Sequence, residues 1–390
     1  MNKILIHDYA GHPFQFELSR YLAKRFIVYH LYFENDYGPK ADFLKHKMKN
    51  LFVRGIGKNI NYNKNNFINR FFNDIKYGKE LEKQINNLNP DLIISGNCPT
   101  LSQYYILKSA KKNKSKFVMW IQDFYSIAVE KLLKKKSFFL TPVSILFKYL
   151  EKKQLKDSDK IIIISKDFEK TLKYWNIDLE KVCFIPNWGN LENIIYSKEK
   201  NFNFINQNNL DKKKFYLFYT GTLAAKHNPD LILKTAEEND KIEVVVIGVG
   251  SGYEKLKKST NLPKNIHLFP IQPFEKLSDV LNSADAFIAI LNEDASVFSV
   301  PSKILNYLCA GRPILLSAPN DNLASQIVSN SNSGKVFKAH DFNGINNYLE
   351  KLINDSNYRN TISQNARNYA ENNFDINVIG KKFLEFLDLK

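Results

Sequence analysis

Residue types that could bind an anion lie directly after a predicted β-strand in this chain of 390 residues. Gly221 and Thr222 end an apolar run, and Lys226 follows them before a helical pattern that begins near Asp230. Glycine lets a backbone approach a ligand closely, and a helix N-terminus offers free N–H groups to an anion. The lysine adds a positive charge for a diphosphate. The segment predicts an anion-binding loop, although an ordinary strand–loop–helix connection with a surface lysine fits it equally well.

A second glycine-rich turn follows the apolar run EVVVI. Its glycines are Gly248, Gly250 and Gly252, whose spacing differs from the GxGxxG of a dinucleotide-binding loop. A structural turn explains most of these glycines. Gly248 and Gly250 are the two that we expect to line a nucleotide.

A third candidate is a helix N-terminus that comes after the apolar run AFIAIL. Pro301 suits the first turn of a helix, Ser302 and Lys303 follow it, and Asn306 lies one turn further on. A helix that begins with proline occurs in many folds. This one is more informative, because it and the Gly221 loop would direct free N–H groups to one crevice.

Two residues that could transfer protons follow strands in the first half of the chain. His12 comes after the first strand, next to Gly11, and Asp123 comes after the run KFVMWIQ. A carboxylate and an imidazole at strand ends are candidates for binding or for general acid–base chemistry. An N-cap carboxylate and a hydrogen-bonded turn histidine are the ordinary alternatives.

The sequence Asp157-Ser158-Asp159 has a DxD pattern that can hold a divalent metal ion. It precedes the apolar run KIIIIS instead of following it, so its side chains would point away from the strand ends where the other candidates lie. We therefore interpret these carboxylates as structural and expect no metal site and no cofactor.

The composition excludes several classes of protein. At 390 residues, with 44% apolar and 25% charged residues, the chain is long enough for two folded domains. No stretch of about 20 residues is continuously apolar, and the N-terminus shows no secretory pattern. Three scattered cysteines form neither a disulfide framework nor a CxxC pair. A secreted scaffold, a zinc module and an integral membrane protein are not expected.

The positive charge is concentrated in one half of the chain. Of the formal net charge of +16, residues 1–200 carry +15 and residues 201–390 carry +1. A basic half beside a neutral half predicts a partner that bears phosphate, which means a nucleic acid, an anionic lipid surface or a phosphorylated substrate. No nucleic-acid-binding motif is present, so nucleic acid is not expected.

Residues 129–153 combine lysines with an apolar centre. Such a basic amphipathic segment can lie in an anionic membrane interface, with the lysines at the headgroups and the apolar side chains below them. The alternative is a pair of core helices with solvated lysines. The apolar side chains that we expect to enter the membrane are Phe138, Phe139, Leu140, Ile145, Leu146 and Phe147.

Short apolar runs alternate with helical patterns along the whole chain, which predicts parallel α/β architecture. The runs form two series, and the polar stretch 191–214 between them is predicted to be a linker with a hinge near residues 187–210. The fold class is therefore α/β, with two Rossmann-like doubly wound domains facing a cleft. Ligands bind at the carboxyl ends of strands in such sheets.

Seven segments in this order resemble a known family. They are DYAGHPFQFELSRYLAKR (8–25), WIQDFYSIAVEKLL (120–133), DSDKIIIIS (157–165), VCFIPNWGN (182–190), YTGTLAAKHNP (219–229), VVVIGVGSG (244–252) and VPSKILNYLCAGRPIL (300–315). End to end, the chain resembles the bacterial group-1 glycosyltransferases of glycosyltransferase family 4, which have the GT-B fold. Among them it is similar to members that assemble capsule, colanic acid and O-antigen.

The resemblance implies that the two domains bind different substrates. An N-terminal domain (1–190) would bind the acceptor, a C-terminal domain (191–374) would bind a nucleotide-sugar donor, most often a UDP-sugar, and a last helix (375–390) would pack back on the first domain. The donor would contact Gly221, Thr222, Lys226, Ser302 and Lys303, with Gly11 and His12 approaching across the cleft and Asp123 near the reacting hydroxyl.

Two departures from the family pattern affect this expectation. The two glutamates of the family's E-x7-E pair would fall at Phe298 and Asn306, so both are absent. Asn306 would hold the ribose hydroxyls as a neutral partner. The arginine that the family carries after its glycine is Thr222 here, which leaves Lys226 as the main cation and Lys303 as a helper.

The resemblance also implies a reaction and a location. A retaining enzyme of this type would transfer a hexosyl or N-acetylhexosaminyl group to a polyprenyl-diphosphate-linked saccharide, at the inner face of the cytoplasmic membrane. The departing phosphate would take the acceptor proton while the charge on the leaving group is stabilised electrostatically. Hinge closure would assemble the site.

Two alternatives from other classes stay open at this point. A nucleotide-sugar epimerase shares the two-domain architecture, but it would need more titratable groups than Asp123 and His12. A non-catalytic protein that binds anionic lipid or nucleic acid would explain the charge. A donor-hydrolysis assay separates the transferase from the binding protein, and product analysis separates it from the epimerase.

Overall fold

The computed structural model describes residues 2–35, 47–60, 67–96, 98–136, 141–224, 227, 229–291 and 303–389. They form two compact units. Unit 1 comprises the chain up to Asn187 together with the C-terminal stretch from Ile376, and unit 2 runs from Trp188 to Asp375.

Unit 1 is built on a sheet of seven strands that are all parallel. In spatial order the strands are β3-β2-β1-β4-β5-β6-β7. Their bounds are β1 (Lys3–Asp8), β2 (Ile27–Phe33), β3 (Leu51–Ile56), β4 (Leu92–Gly96), β5 (Lys116–Ile121), β6 (Lys160–Ile163) and β7 (Val182–Phe184). The strand order reverses between β1 and β4, so their carboxyl ends form the topological switch point, where such sheets bind ligands.

Helices connect these strands and cover the sheet. They are α1 (Pro13–Ala23), α2 (Phe67–Leu88), α3 (Thr100–Asn113), α4 (Tyr125–Lys136), α5 (Thr141–Asp157) and α6 (Phe168–Tyr174). The central strands are largely apolar, as is typical of parallel strands that helices cover on both faces. Every residue of β4 is buried.

Unit 2 repeats this architecture with six parallel strands in the order β10-β9-β8-β11-β12-β13. Their bounds are β8 (Phe215–Thr222), β9 (Ile242–Val249), β10 (Ile266–Phe269), β11 (Ala286–Ile290), β12 (Ile314–Ser317) and β13 (Gly334–Phe337). Here the switch point lies between β8 and β11. The doubly wound, Rossmann-like character predicted for both halves of the chain is confirmed.

The described helices of unit 2 include one short 3-10 turn at Phe274–Lys276. The α-helices are α7 (Asn203–Gln207), α8 (Pro229–Glu237), α9 (Ser251–Lys257), α10 (Leu277–Asn282), α11 (Lys303–Ala310), α12 (Leu323–Asn330), α13 (Phe342–Asn354) and α14 (Ser356–Asn373). One hydrophobic core joins strands β8, β9 and β11 to α8 and α13.

The stretch predicted to be a linker over 191–214 is largely part of unit 2. Within it, α7 buries Phe204 and Ile205, and Phe204 packs edge-on against Phe218 of β8 at 5.8 Å. The backbone N–H of Asn201 also donates to the carbonyl of Asn282. The linker prediction was wrong there, because two apolar residues among many asparagines are enough to fix a short helix on the sheet.

The C-terminal helix α15 (Ile376–Phe386) belongs to unit 1. Phe383 packs edge-on against Trp120 of β5 at 5.1 Å between ring centroids. Gly380 lies against the ring of Tyr21 so closely that a Cβ there would be 2.2 Å from it. The chain therefore leaves unit 1 after Asn187 and returns to it at Ile376.

Candidate functional site

The carboxyl ends of β8 and β9 place the first two predicted glycine segments against each other. Leu223 donates its N–H to the Val249 carbonyl at 2.8 Å, and its own carbonyl accepts from the N–H of Gly252 at 2.8 Å. Helix α11 adds Lys303, whose ammonium donates to the Thr222 carbonyl at 3.4 Å. Three segments that are far apart in sequence thus meet at the switch point of unit 2.

Gly221 lies near the end of β8, and the loop that continues from it through Leu223 has space beside the Gly221 backbone. Its φ of +95° lies in the left-handed region that disfavours other residues. A Cβ added there would meet none of the described atoms within 4 Å. None of the described atoms therefore blocks approach to the Gly221 backbone, and contact with a donor stays a prediction for this residue.

Gly248 and Gly250 have a different reason to be glycine. A Cβ on Gly248 would be 2.4 Å from the carbonyl oxygen of Gly221, and a Cβ on Gly250 would be 2.8 Å from that of Leu223. The space beside both residues is occupied by the neighbouring loop. Their missing side chains permit close packing of the two loops, and contact with a nucleotide stays a prediction for them.

Lys303 is positioned by an aromatic ring. Its Nζ lies 3.5 Å from the ring centroid of Tyr219, a favourable cation–π distance. The loop carbonyl of Thr222 is its second contact. Two other predicted donor-site residues, Lys226 and Ser302, lie outside the described residues.

Asn306 has its side-chain oxygen engaged by the segment that enters unit 2. Oδ1 accepts from the backbone N–H and from the Nδ2 of Asn190, both at 3.1 Å. The backbone donor fixes the orientation of the amide, because its nitrogen could not face another N–H group. Both lone pairs of Oδ1 are used in this way, so Asn306 can offer a ligand only its Nδ2 donors.

Three aromatic residues near this loop were not identified from the sequence: Tyr219, His227 and Tyr307. The Tyr307 hydroxyl accepts from the Thr220 N–H at 2.9 Å, and its ring stacks on Phe287 at 3.9 Å. Burial raises the pKa of Tyr307 to about 12, so the hydroxyl stays protonated. Tyr219 and His227 flank the predicted anion-binding loop in the sequence, and this position could have identified them.

In unit 1, His12 and Asp8 form a pair at the carboxyl end of β1. Asp8 is fully buried and accepts from both the backbone N–H and the Nδ1 of His12, the latter at 3.0 Å. A carboxylate only accepts, so Nδ1 carries the proton, and in the neutral imidazole the lone pair lies on Nε2. Gly11 precedes them with a φ of +70° and allows the turn into α1.

Asp123 is exposed, in the turn between β5 and α4. The preceding residue, Gln122, exchanges two amide hydrogen bonds with Asn187, at 2.6 and 3.3 Å. The N-terminus of α4 is already occupied, since the Glu151 carboxyl accepts from the N–H groups of Tyr125 and Ser126. Burial raises the pKa of Glu151 to about 7.

A buried polar network lies below the switch point of unit 1. The Ser95 hydroxyl donates to Gln103 at 2.8 Å, so it accepts from the Nδ1–H of His7 at 3.2 Å, while His7 Nε2 accepts from the Tyr77 hydroxyl at 2.9 Å. Burial lowers the pKa of His7 to about 3. Asp74 is buried near the same strand ends, and burial raises its pKa to about 7.

Asp157 and Asp159, the carboxylates of the DxD pattern, contact groups of unit 1. Asp157 pairs with Lys111 at 2.7 Å, and Asp159 accepts the Phe117 N–H at 2.7 Å. Over the part of the chain that the structure describes, no three His, Cys, Asp or Glu side chains are grouped to hold a metal ion.

The predicted membrane segment folds as α4 and α5. Phe147 was expected to face a membrane, and this is wrong: it is 3% exposed and packs with Val129 and Leu133. Phe138, Phe139 and Leu140 lie outside the described residues. Within the described ranges, no helix combines the length and the apolar character needed to cross a bilayer.

Two family models match the chain, one over most of each unit. The glycosyltransferase family 4 model matches residues 14–193, and the glycosyl transferases group 1 model matches residues 200–369. The two sheets are both Rossmann-like and have equivalent strand orders. Together with the family matches, they define a two-domain glycosyltransferase of the GT-B fold. The chain belongs to the group 1 glycosyltransferases.

Particular relatives match over different spans. The colanic acid biosynthesis glycosyl transferase WcaI of Escherichia coli K12 is 24% identical over 173 residues, 43% of this chain and 42% of that protein. Sucrose-phosphate synthase of Thermosynechococcus elongatus has a TM-score of 0.78 at 14% identity, covering 100% of this chain and 98% of that one. HepE of Anabaena, solved with UDP and glucose, has a TM-score of 0.74 at 12% identity, covering 100% of both chains. The chain spans less than half the length of the curated relative, and the solved structures establish the fold alone.

Proposed function

We propose that the chain is a retaining glycosyltransferase that moves a sugar from a UDP-sugar to a polyprenyl-diphosphate-linked saccharide in the assembly of a bacterial surface polysaccharide. The observation that carries this proposal is the strand-end loop of unit 2. In this loop Gly221 has no side chain to shield its backbone, and the Lys303 ammonium is bonded to the next residue, Thr222. The Anabaena protein solved with UDP supports the choice of nucleotide, and the colanic acid relative supports the polysaccharide.

The donor site consists of backbone groups and cations. Gly221 and Thr222 supply close backbone approach, and Lys303 and Lys226 supply positive charge for the diphosphate. Ser302 would add an N–H donor at the start of α11. The nucleoside diphosphate leaves with extra negative charge on its β-phosphate, and cations placed beforehand stabilise that charge in the transition state.

The acceptor site lies at the carboxyl edge of unit 1. His12, whose tautomer is set by Asp8, and Asp123 would orient the reacting hydroxyl. The bond from the anomeric carbon to the β-phosphate oxygen breaks, and a new bond to the acceptor oxygen forms on the same face. The acceptor proton passes to the departing phosphate, so this route needs no covalent intermediate on the enzyme and no metal ion. The transferred group is hexosyl or N-acetylhexosaminyl.

Nucleotide binding tests the donor site directly. The melting temperature is measured with UDP, GDP, ADP and dTDP, for the wild type and for Lys226→Ala. We expect UDP to stabilise the wild type more than the other nucleotides do, since a ligand of the folded state raises the melting temperature. Lys226→Ala should abolish the increase. The matched control is Lys241→Ala, an exposed lysine of unit 2 whose partner is Glu350 at 3.6 Å.

Two results would count against the proposal. If no nucleotide changes the melting temperature, the donor site is wrong. If a UDP-sugar is converted to another UDP-sugar without release of UDP, the protein is an epimerase and not a transferase. Release of UDP together with an acceptor-linked product of unchanged anomeric configuration is the expected outcome.

A stripe on α5 supports contact with an anionic membrane. Ile145, Leu146 and Tyr149 are 61%, 49% and 61% exposed, and Lys153 and Lys156 continue the same helical face. Neither lysine has a carboxylate within 4.0 Å in the described part of the chain. Apolar side chains would enter the interface while each lysine contributes about 1 kcal/mol at an anionic surface. We propose that the protein docks in this way at the inner face of the cytoplasmic membrane, where its lipid-linked acceptor would lie.

Vesicle sedimentation tests this surface. The wild type should bind vesicles of phosphatidylglycerol and phosphatidylcholine, and should bind phosphatidylcholine alone much less. The double variant Ile145→Ser, Leu146→Ser should lose binding, whereas Ile195→Ser, at a 75% exposed position of unit 2, should keep it. Equal binding by the double variant would remove α5 from the proposal.

A further inference from the structure

Tyr219 connects the elements of the donor loop although it is fully buried. Its hydroxyl donates to the Thr222 carbonyl at 2.8 Å, at the last residue of β8. Its ring lies under the Lys303 ammonium at 3.5 Å. The same Thr222 carbonyl also accepts from Lys303. One side chain thus contacts both the loop backbone and the cation of α11.

His227 is a second side chain that is hydrogen-bonded to the loop backbone. It is 8% exposed, and its Nδ1 accepts the backbone N–H of Ala224 at 3.0 Å. The Tyr219 hydroxyl oxygen lies 3.3 Å from the same nitrogen. A backbone N–H can only donate, so Nδ1 carries no proton and the ring is the neutral tautomer with hydrogen on Nε2.

The two side chains fix the path of the loop at separate points. Tyr219 holds the Thr222 carbonyl, and His227 holds the Ala224 amide. Between them the loop is also bonded to the neighbouring turn through Leu223 and Gly252. A loop and an ammonium that already have their bound arrangement lose less conformational entropy when an anion binds.

We propose that Tyr219 and His227 are positioning residues of the donor site. They hold the loop after Gly221 in the shape that receives a nucleoside diphosphate, and the Tyr219 ring holds Lys303 beside it. This inference rests on the proposed function, because it assigns the loop to the donor. Neither residue needs to touch the ligand: each acts through the loop backbone or through Lys303.

Four variants separate positioning from general stability. His227→Leu removes the acceptor for the Ala224 N–H, and His227→Asn keeps an acceptor oxygen near the place of Nδ1. Tyr219→Phe keeps the ring under Lys303 and removes the hydroxyl. Tyr348→Phe is the matched control, since Tyr348 is a buried tyrosine of the same unit that packs against Phe337, in the core around β13 and α13.

The measurements are the dissociation constant for UDP and the melting temperature without ligand. We expect His227→Leu and Tyr219→Phe to weaken UDP binding about tenfold, the effect of one lost hydrogen bond in the loop. His227→Asn should restore affinity to within about threefold of the wild type. Tyr348→Phe should bind UDP as the wild type does. In a transferase assay, the KM for the donor should rise and the KM for the acceptor should not.

Other results would overturn the inference. If His227→Leu and Tyr219→Phe lower the melting temperature and leave the UDP affinity unchanged, the two residues are structural only. Should His227→Leu fail to fold, Tyr219→Phe decides the question, because it nearly preserves the volume of the original side chain. A wild type that binds no nucleotide would refute the proposed function and this inference with it.

Discussion

The carboxyl edges of the two sheets are made of different groups. In unit 2 the edge consists of glycine backbone, a lysine ammonium and aromatic rings, and close packing requires Gly248 to lack a side chain. In unit 1 the edge carries the titratable side chains Asp8 and His12, and His7 and Asp74 are buried below it. The two edges occupy equivalent switch points in similar sheets.

This difference matches the two substrates that we propose. A diphosphate is recognised by positive charge and N–H groups, which need precise backbone geometry and no change of protonation. An acceptor hydroxyl must be oriented while its proton passes to the departing phosphate, and carboxylates and imidazoles can hold it in place by hydrogen bonds. Unit 2 should therefore be sensitive to added volume, and unit 1 should be sensitive to pH and to loss of charge.

The largest effect is expected for Gly248→Val. Its side chain would collide with the Gly221 carbonyl, which belongs to backbone and cannot rotate away, so we expect a loss of about 3 kcal/mol of unfolding free energy. Gly221→Ala should cost about 1 to 2 kcal/mol because of its positive φ. It should also weaken UDP binding, because its Cβ would enter space that none of the described atoms fills. Urea unfolding and UDP titration measure the two effects. Equal stability of Gly248→Val and wild type would contradict the packing of the two loops.

Asp8→Asn should have the next largest effect. The substitution removes a charged acceptor of two hydrogen bonds from a fully buried position and should cost about 2 kcal/mol. It should also lower kcat, because the His12 tautomer is no longer fixed. Asp230→Asn, at an exposed carboxylate that pairs with Lys255, is the control and should change stability by less than about 0.5 kcal/mol. Unchanged kcat in Asp8→Asn would exclude His12 from the reaction.

The pH dependence of unit 1 should reflect His7. Its pKa is about 3 in the folded protein and 6.5 as the reference value, so between these values the unfolded chain binds a proton that the folded chain does not. The contribution of His7 to the unfolding free energy therefore falls as the pH drops below 6.5, by about 2 kcal/mol at pH 5. Asp74 acts in the opposite direction, since its pKa of about 7 makes stability fall as the pH rises from 3.8 towards 7.

Comparison with a variant isolates the histidine contribution. The difference in unfolding free energy between wild type and His7→Gln should change by about 2 kcal/mol from pH 7 to pH 5, while the Asp74 contribution cancels. The matched control is His340→Gln, at an exposed position of unit 2. A constant difference for His7→Gln across this range would mean that His7 is charged in the folded protein.

The smallest effect is expected for Asn190→Ala. This substitution removes one of the two hydrogen bonds to Asn306 Oδ1 and keeps the backbone one, so it should cost about 1 kcal/mol. UDP should bind a few-fold more weakly, because the Asn306 amide loses part of its orientation. Calorimetric titration with UDP measures this change. Tighter binding would mean that Asn190 competes with the ligand for Asn306.

The fold could be predicted from the sequence to a large extent. Continuous apolar runs such as EVVVIGVG mark strands buried on both faces, and β9 lies within one residue of that prediction. Strands β3 and β13 were missed, because LFVRGI and GKVF are short, contain glycine and a basic residue, and are only partly buried. Phe147 was misplaced because its lysine-rich surroundings indicate a surface, whereas the helical period turns it inward.

The candidate site also has a part that could be predicted from the sequence and a part that could not. Gly221, Gly248 and Lys303 could be found because they follow strands in short recognisable segments. The contacts of Tyr219, His227, Tyr307 and Asn190 could not, since each partner is set by where the chain folds back and not by local spacing.

The sequence by itself determined that the chain forms two Rossmann-like domains with candidate ligand-binding residues after their strands, because hydrophobic period and glycine position are local properties. Only the tertiary structure decided what those residues contact. It placed Lys303 on the Tyr219 ring, engaged the Asn306 oxygen with Asn190, and paired His12 with the buried Asp8. Contacts of this kind join residues from different elements, and their geometry follows from packing that no single segment specifies.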